Sequence, residues 1–363
     1  MFIKKEGKVM PEIIELFQLI VERKASDLHL TAGLPPEIRV DGELIQLSNH
    51  NPLTPERIEN MIDEILSEEQ KKIFEEKKEL DASYGIRDLS RFRINVFKQR
   101  GSIAVAVRAI PYNIPTIESL GLPEIVKEFA EKPNGLVLVT GATGSGKSTT
   151  LAAMIDYINE RRKCHIISIE DPIEYLHRHK KSTINQRELG TDTLSFAEAL
   201  KHVFRQDPDI VLIGELRDLE TIQTALTLAE TGHLIFGTLH TGSAANSIAR
   251  IVDVFPAHQQ QQIRVQLSLV LLGVIVQQLM PNVNGKGRTL AYEVMSVSSG
   301  IQNLIRENNL HQIYSAIQMG RKYGMCTMNH SMADLVNDGS VSYEEAMRRS
   351  MDTQELESLL LHR

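Results

Sequence analysis

Apolar positions change their spacing along the chain. Near the N-terminus Ile13, Ile14, Phe17 and Ile20 recur at helical intervals, which predicts an amphipathic helix over residues 11–24. The alternation of Leu28, His29 and Leu30 then predicts a strand. After Gly33, Pro35 and Pro36, extended runs at 37–40 and 43–47 flank Asp41-Gly42, a dipeptide that favours a tight hairpin turn. A charged helix is expected over 54–78, followed by strands at 91–97 and 102–109 on either side of Gln99-Arg100-Gly101. The first ~110 residues therefore read as one small α+β unit. Pro111 and Pro115 stop both helix and central strand, so residues 111–115 read as the hinge, with domains at 1–112 and 113–363.

Beyond the hinge, continuous apolar runs replace alternation, at 136–139, 166–169, 210–213 and 234–239. Strands of that kind are buried on both faces, which implies an α/β domain with a mostly parallel sheet covered by helices. From Ala257 the pattern reads as helical almost to the end. The uncharged stretch at 265–285 reads as a buried helix, because Gln and Pro281 interrupt it short of the ~20 apolar residues a membrane span needs.

Composition narrows the classes. A chain of 363 residues, 42% apolar and 24% charged, is expected to be globular, with two domains. Cys164 and Cys326 are the only cysteines, too few for a disulfide framework or a Cys-rich zinc site, and read as reduced thiols. A net charge of −7 argues against a protein that coats nucleic acid. The first residues contain no apolar stretch of signal-peptide length, so export is not expected.

Residues 141–148, Gly-Ala-Thr-Gly-Ser-Gly-Lys-Ser, fit the P-loop pattern and stand between an expected strand and an expected helix. Glycines at Gly141, Gly144 and Gly146 let backbone N–H groups turn inward around phosphate oxygens. Lys147 supplies a counter-charge, Ser148 a hydroxyl for Mg²⁺, and Thr143, Ser145 and Thr149 complete the candidate nucleotide contacts. Two acidic clusters follow strands of the same sheet: Glu170-Asp171-Pro172-Ile173-Glu174, and Gly214-Glu215-Leu216-Arg217-Asp218, the latter an apolar run with a terminal acid. Carboxylates at the carboxyl edge of a parallel sheet can hold Mg²⁺ or orient an attacking water; solvated loop residues and helix N-caps are the plainer alternatives.

His233 and His240 bracket the 234–239 strand. Seven residues of strand put them about 23 Å apart on opposite faces, and only His240 lies at the carboxyl edge, where it can sense a γ-phosphate. In the first domain Arg91, Arg93 and Asn95 alternate with Phe92, Ile94 and Val96, leaving one cationic strand face, and Arg108 closes the next strand. Such guanidinium groups serve either as a solvated face or, near a hinge, as arginine fingers.

Together these motifs resemble the secretion ATPase superfamily, and within it the type IV pilus retraction family. The likeness runs from Ala25-Ser26-Asp27-Leu28-His29-Leu30 through the P-loop, the acidic boxes and residues 231–240. It implies a PAS-like N-terminal domain, a RecA-like motor domain and a homo-hexamer hydrolysing ATP with Mg²⁺ between the two domains. It also implies roles: Lys147 and Ser148 on phosphate and metal, Glu215 as Walker B acid and metal residue, Glu174 as water-activating base, His240 near the γ-phosphate, and Arg93 and Arg108 reaching the nucleotide. The implied setting is the cytoplasmic face of the inner membrane, reached through a pilus platform protein, with no direct nucleic acid contact. Pilus-assembly relatives usually carry a four-cysteine zinc motif, which two cysteines cannot supply, so retraction is favoured. Residues 300–307 resemble the retraction family's Ala-Ile-Arg-Asn-Leu-Ile-Arg-Glu element, with Gly300 for Ala and Gln302 for Arg, and Ala142 stands where that family usually has Pro. The alternatives are a motor of a related secretion or pilus-assembly system, a nucleotide-gated regulatory module with little hydrolysis, and a nucleic-acid translocase.

Overall fold

The computed structural model describes residues 11–40, 42–86, 89–110 and 113–361. Asp41 of the expected hairpin turn, and Pro111 and Tyr112 of the expected hinge, lie outside them. The chain forms two compact units, Met1–Asn113 and Ile114–Arg363.

The first unit contains helices α1 (Glu12–Glu22), α2 (Pro55–Asp63) and α3 (Glu68–Lys77) and strands β1 (Asp27–Leu30), β2 (Glu37–Val40), β3 (Glu43–Gln46), β4 (Glu79–Ile86), β5 (Ser90–Gln99) and β6 (Ser102–Ile110). They form a six-stranded antiparallel sheet in the order β3-β2-β1-β6-β5-β4. The alternation seen in the sequence sets its faces. Phe92, Ile94 and Val96 of β5 are buried, and Phe92 stacks on Phe17 of α1 with ring centroids 4.3 Å apart. The β5–β6 turn places Arg100 at φ +49° and Gly101 at φ +80°, both in the left-handed region that a two-residue hairpin turn uses.

Two expectations for this unit need correction. The charged helix over 54–78 is two helices, because Ser67 starts a second one: its hydroxyl accepts from Gln70 N–H at 3.2 Å while Gln70 Oε1 accepts from Ser67 N–H at 2.9 Å. Strand β4 was not foreseen, and Arg108 lies inside β6 rather than at its end.

The second unit has strands β7 (Gly135–Thr140), β8 (His165–Glu170), β9 (Thr183–Glu188), β10 (Ile210–Ile213), β11 (Leu234–Leu239), β12 (Leu271–Pro281) and β13 (Arg288–Ser296). Around them lie α4 (Ile125–Glu131), α5 (Lys147–Arg161), α6 (Phe196–Val203), α7 (Leu219–Glu230), α8 (Ala244–Asp253), α9 (Ala257–Val270), α10 (Ser299–Arg306), α11 (Ile313–Met319), α12 (Met328–Asn337), α13 (Tyr343–Arg349) and α14 (Thr353–Leu361). The seven-stranded sheet runs β13-β12-β7-β11-β10-β8-β9, parallel except for the β12–β13 pair. Alternate residues of its central strands enter two separate cores. Leu136, Leu138, Ile167, Ile169, Val211 and Ile213 join one, and Val137, Val139, Ile166, Ile210 and Leu212 join the other. This is the double burial that continuous apolar runs imply.

The buried helix expected over 265–285 is half helix and half strand. Helix α9 stops at Val270 and β12 begins at Leu271, beside the P-loop strand β7. Val274, Ile275 and Val276 favour strand geometry, and Gly273 allows close packing, since a Cβ there would lie 2.3 Å from the Phe129 ring. The region from Ala257 is therefore helical in α9 and again from α10 onward, with β12 and β13 between them.

Parallel register brings the strand ends together. Thr140 pairs with Leu239 and Ile213 with Ile169, so the segments following β7, β11, β10 and β8 emerge side by side at the carboxyl edge.

Candidate functional site

Strand β7 is buried throughout and ends where Gly141 adopts φ +140°. Only glycine fits there: a Cβ would sit 2.4 Å from the Gln277 carbonyl oxygen and 2.6 Å from Ser145 Oγ. Gly146, at φ +92°, caps the start of α5 and aims that helix's first N–H groups into the loop. Lys147 is buried, and its Nζ donates to the carbonyls of Gly141 at 2.9 Å and Ala142 at 3.0 Å. Burial lowers the pKa of its ammonium, while the carboxylates of Glu215 and Glu174 act in the opposite sense. The Ser145 hydroxyl is buried without a protein partner. A cationic, inward-turned loop with a spare hydroxyl suits phosphate.

A cleft of about 450 Å³ runs along this loop, with Lys147, Ser148, Asp171, Glu174, Glu215 and His240 in its wall. Ser148 and Glu215 supply hard oxygen donors of the kind a Mg²⁺ ion takes. Thr149 Oγ1 is 2.9 Å from the Tyr175 hydroxyl, tying the first turn of α5 to the acidic box.

The acids divide by their partners. Glu170 accepts from Ser168 Oγ at 2.5 Å and from Gln186 Nε2 at 3.1 Å, and burial pushes its carboxyl up to about 7. Asp218 is the N-cap of α7, accepting from Thr221 N–H at 2.9 Å and Thr221 Oγ1 at 2.8 Å. Both are held by structural contacts. Glu174 is exposed in the cleft wall. Glu215 meets Arg217 Nη2 at 2.7 Å and His240 Nε2 at 3.4 Å through the same oxygen. Burial raises its pKa, but the Arg217 hydrogen bond and the His240 charge outweigh that and leave it below the usual range.

The histidines separate as their spacing implies. His240 follows β11 directly and faces Glu215. His233 stands at the other end, where its backbone N–H donates to Leu228 O at 3.1 Å and its Nδ1 lies 3.0 Å from the same oxygen, closing the end of α7.

In the first unit Arg93 is exposed on β5 and pairs in register with Arg108 of β6. Arg108 Nε bonds Asp27 Oδ1 at 2.8 Å. Burial raises the Asp27 pKa, and the hydrogen bonds from Ser26 and Arg108 bring it below its ordinary value.

Three contributors escaped the sequence reading. Arg217 lay inside a recognised box yet was taken only as part of its spacing; its one signal was a cation two residues from Glu215. Gln277 and Tyr175 carry no motif, and only the fold brings them to the loop. Among the described residues no group of three or more His, Cys, Asp or Glu side chains forms a metal cluster, and no helix is long and apolar enough to cross a membrane.

Comparison with known proteins gives one consistent picture. The family described as type II/IV secretion system protein matches residues 3–348. The chain is 50% identical over 339 residues to the type IV pilus retraction ATPase PilT of Pseudomonas aeruginosa, covering 93% of this chain and 98% of that one. It is 47% identical over 321 residues to a twitching motility protein of Neisseria gonorrhoeae, covering 88% and 86%. The crystal structure of the pilus retraction motor PilT with bound ADP superposes with a TM-score of 0.89 at 50% identity, covering 97% of this chain and all of that one.

Proposed function

The chain belongs to the type II/IV secretion system protein family, and from that premise we propose that it is a Mg²⁺-dependent ATPase that powers type IV pilus retraction as a homo-hexamer. The reading divides it into a PAS-like domain over 1–112 and a RecA-like motor over 113–363. Its setting is the cytoplasmic face of the inner membrane, where it acts on a pilus platform protein.

The observation that carries the proposal is the convergence of Lys147, Ser148, Glu174, Glu215 and His240 on one cleft along the P-loop. Loop amides and Lys147 bind and orient the β- and γ-phosphates. Ser148 and Glu215 would hold Mg²⁺, which when bound offsets phosphate charge. Glu174, exposed at the cleft, takes the proton of the attacking water. His240 donates toward the γ-phosphate, its orientation held by Glu215. Arg93 and Arg108 are the cations that stabilise the transferring phosphoryl group. Steady-state ATP turnover per protomer, measured with Mg²⁺ over a range of protein concentrations, tests this. Specific activity that rises to a plateau supports an assembled motor; absence of turnover at every concentration, with and without a pilus-base membrane fraction, refutes it.

A further inference from the structure

One buried carboxylate has no part in the chemistry above. Glu293, in β13, is 3% exposed. Its Oε1 accepts the backbone N–H of Ala244, the first residue of α8, at 2.8 Å. The backbone N–H of Met328, the first residue of α12, also acts on this carboxylate, opposing the rise in pKa that burial causes. The carboxylate thus bonds the N-terminus of α8, where the positive end of the helix dipole favours a negative charge. Without such a partner a buried carboxylate is strongly disfavoured, as any unpaired buried ion is.

The position of this clamp matters because of what α8 follows. Residues 240–243 are the whole connection between β11 and α8, with His240 at its start. Glu293 pairs with Val276, Val276 with Thr140, and Thr140 with Leu239, so the clamp lies in the same transverse row of the sheet as the residues immediately before Gly141 and His240. The connection is laced internally as well: Thr241 Oγ1 is 2.6 Å from Ser247 Oγ, which donates to Ser243 O at 2.8 Å. Ser247 Oγ also reaches Thr140 Oγ1 at 3.5 Å. With its far end fixed to the sheet by Glu293, the loop has little freedom to move His240 relative to the P-loop.

We propose that Glu293 is a positioning residue for hydrolysis, fixing the His240–Ser243 loop against the sheet. The assignment rests on the ATPase reading above and concerns its geometry. Two substitutions cut the same contact from opposite sides. Glu293→Ala removes the acceptor. Ala244→Pro removes the donor at a helix position that tolerates proline, after Ser243, whose extended ψ of 159° already suits a following proline.

In the full-length assembled protein each variant is expected to lower kcat about ten- to a hundred-fold while leaving KM for ATP within about two-fold. Each should also speed deuterium uptake at residues 240–247, and the double variant should be no worse than the more affected single one. Glu293→Gln, which keeps an acceptor for Ala244, should recover most of the activity. Unchanged uptake at 240–247 in Ala244→Pro overturns the anchor; additive losses, or a raised KM at unaltered kcat, overturn the positioning role. If Glu293→Ala does not fold, Ala244→Pro decides the matter alone. A parent chain without turnover refutes the ATPase reading and the catalytic consequence with it, while deuterium uptake still decides whether Glu293 anchors the loop.

Discussion

Two glycines of the phosphate loop separate backbone strain from crowding. Both have positive φ, +140° at Gly141 and +76° at Gly144, so alanine at either incurs a backbone cost of roughly 1–3 kcal/mol. Their surroundings differ. At Gly141 a new methyl would lie 2.4 Å from the Gln277 carbonyl and 2.6 Å from Ser145 Oγ, whereas at Gly144 nothing lies within 4 Å. The carbonyl belongs to β12 and cannot rotate away, so the overpacking cost of about 1–3 kcal/mol falls on Gly141 alone. For a unit the size of Ile114–Arg363, a kcal/mol moves the thermal midpoint by about 2–4 °C. Gly141→Ala should therefore unfold about 2–12 °C below Gly144→Ala, read by scanning calorimetry without nucleotide. Displacement of Gln277 should also loosen the loop, so Gly141→Ala is expected to bind a fluorescent ADP analogue at least ten-fold more weakly than the parent chain. Equal midpoints for the two variants would falsify the crowding argument.

Glu174→Gln should retain nucleotide binding and lose about a hundred-fold or more in kcat, measured by phosphate release; unchanged turnover would assign the base elsewhere. Asp218→Ala should lower stability by about 1 kcal/mol through loss of the α7 cap and leave ADP affinity as it was, in contrast to Lys147→Ala, which should abolish that affinity. Glu170 has a carboxyl pKa of about 7 in the folded chain against 4.5 ordinarily, so the folded state binds more protons over that interval. Its contribution to stability is present below pH 4.5 and is lost as pH rises through 7, and Glu170→Gln should flatten that part of a denaturation profile taken without nucleotide.

Local chemistry was what the sequence made legible. Buried strands such as 210–213 and 234–239 announce themselves because both faces are apolar, and the phosphate loop because its glycines are required by its own backbone. The failures share a cause, which is that partners distant in the chain decide the outcome. Leu271–Val276 continues an apolar, Gln-rich helix in composition, yet the vacant flank of β7 draws it into the sheet. Five acids at strand ends look alike in one dimension. Thr221 makes Asp218 a cap and Gln186 occupies Glu170 within the cleft wall, leaving Asp171, Glu174 and Glu215 as its other acids. Nothing near Glu293 in the chain points to Ala244, 49 residues earlier.

The parallel pairing of β7 with β11 also bears on which insertions and deletions the chain can absorb. Gly141 and His240 leave adjacent strands at the same level, Thr140 opposite Leu239. One residue added within either strand would turn every later side chain of that strand to the other face and carry its loop out of step with its neighbour. The turn between β12 and β13 has no such obligation, because it reverses the chain beyond the Pro281–Arg288 pair. Length variation among functional descendants of this sequence should therefore gather at turns of that kind, while the spacing from Gly135 to Lys147 and from Leu234 to Ala244 stays constant.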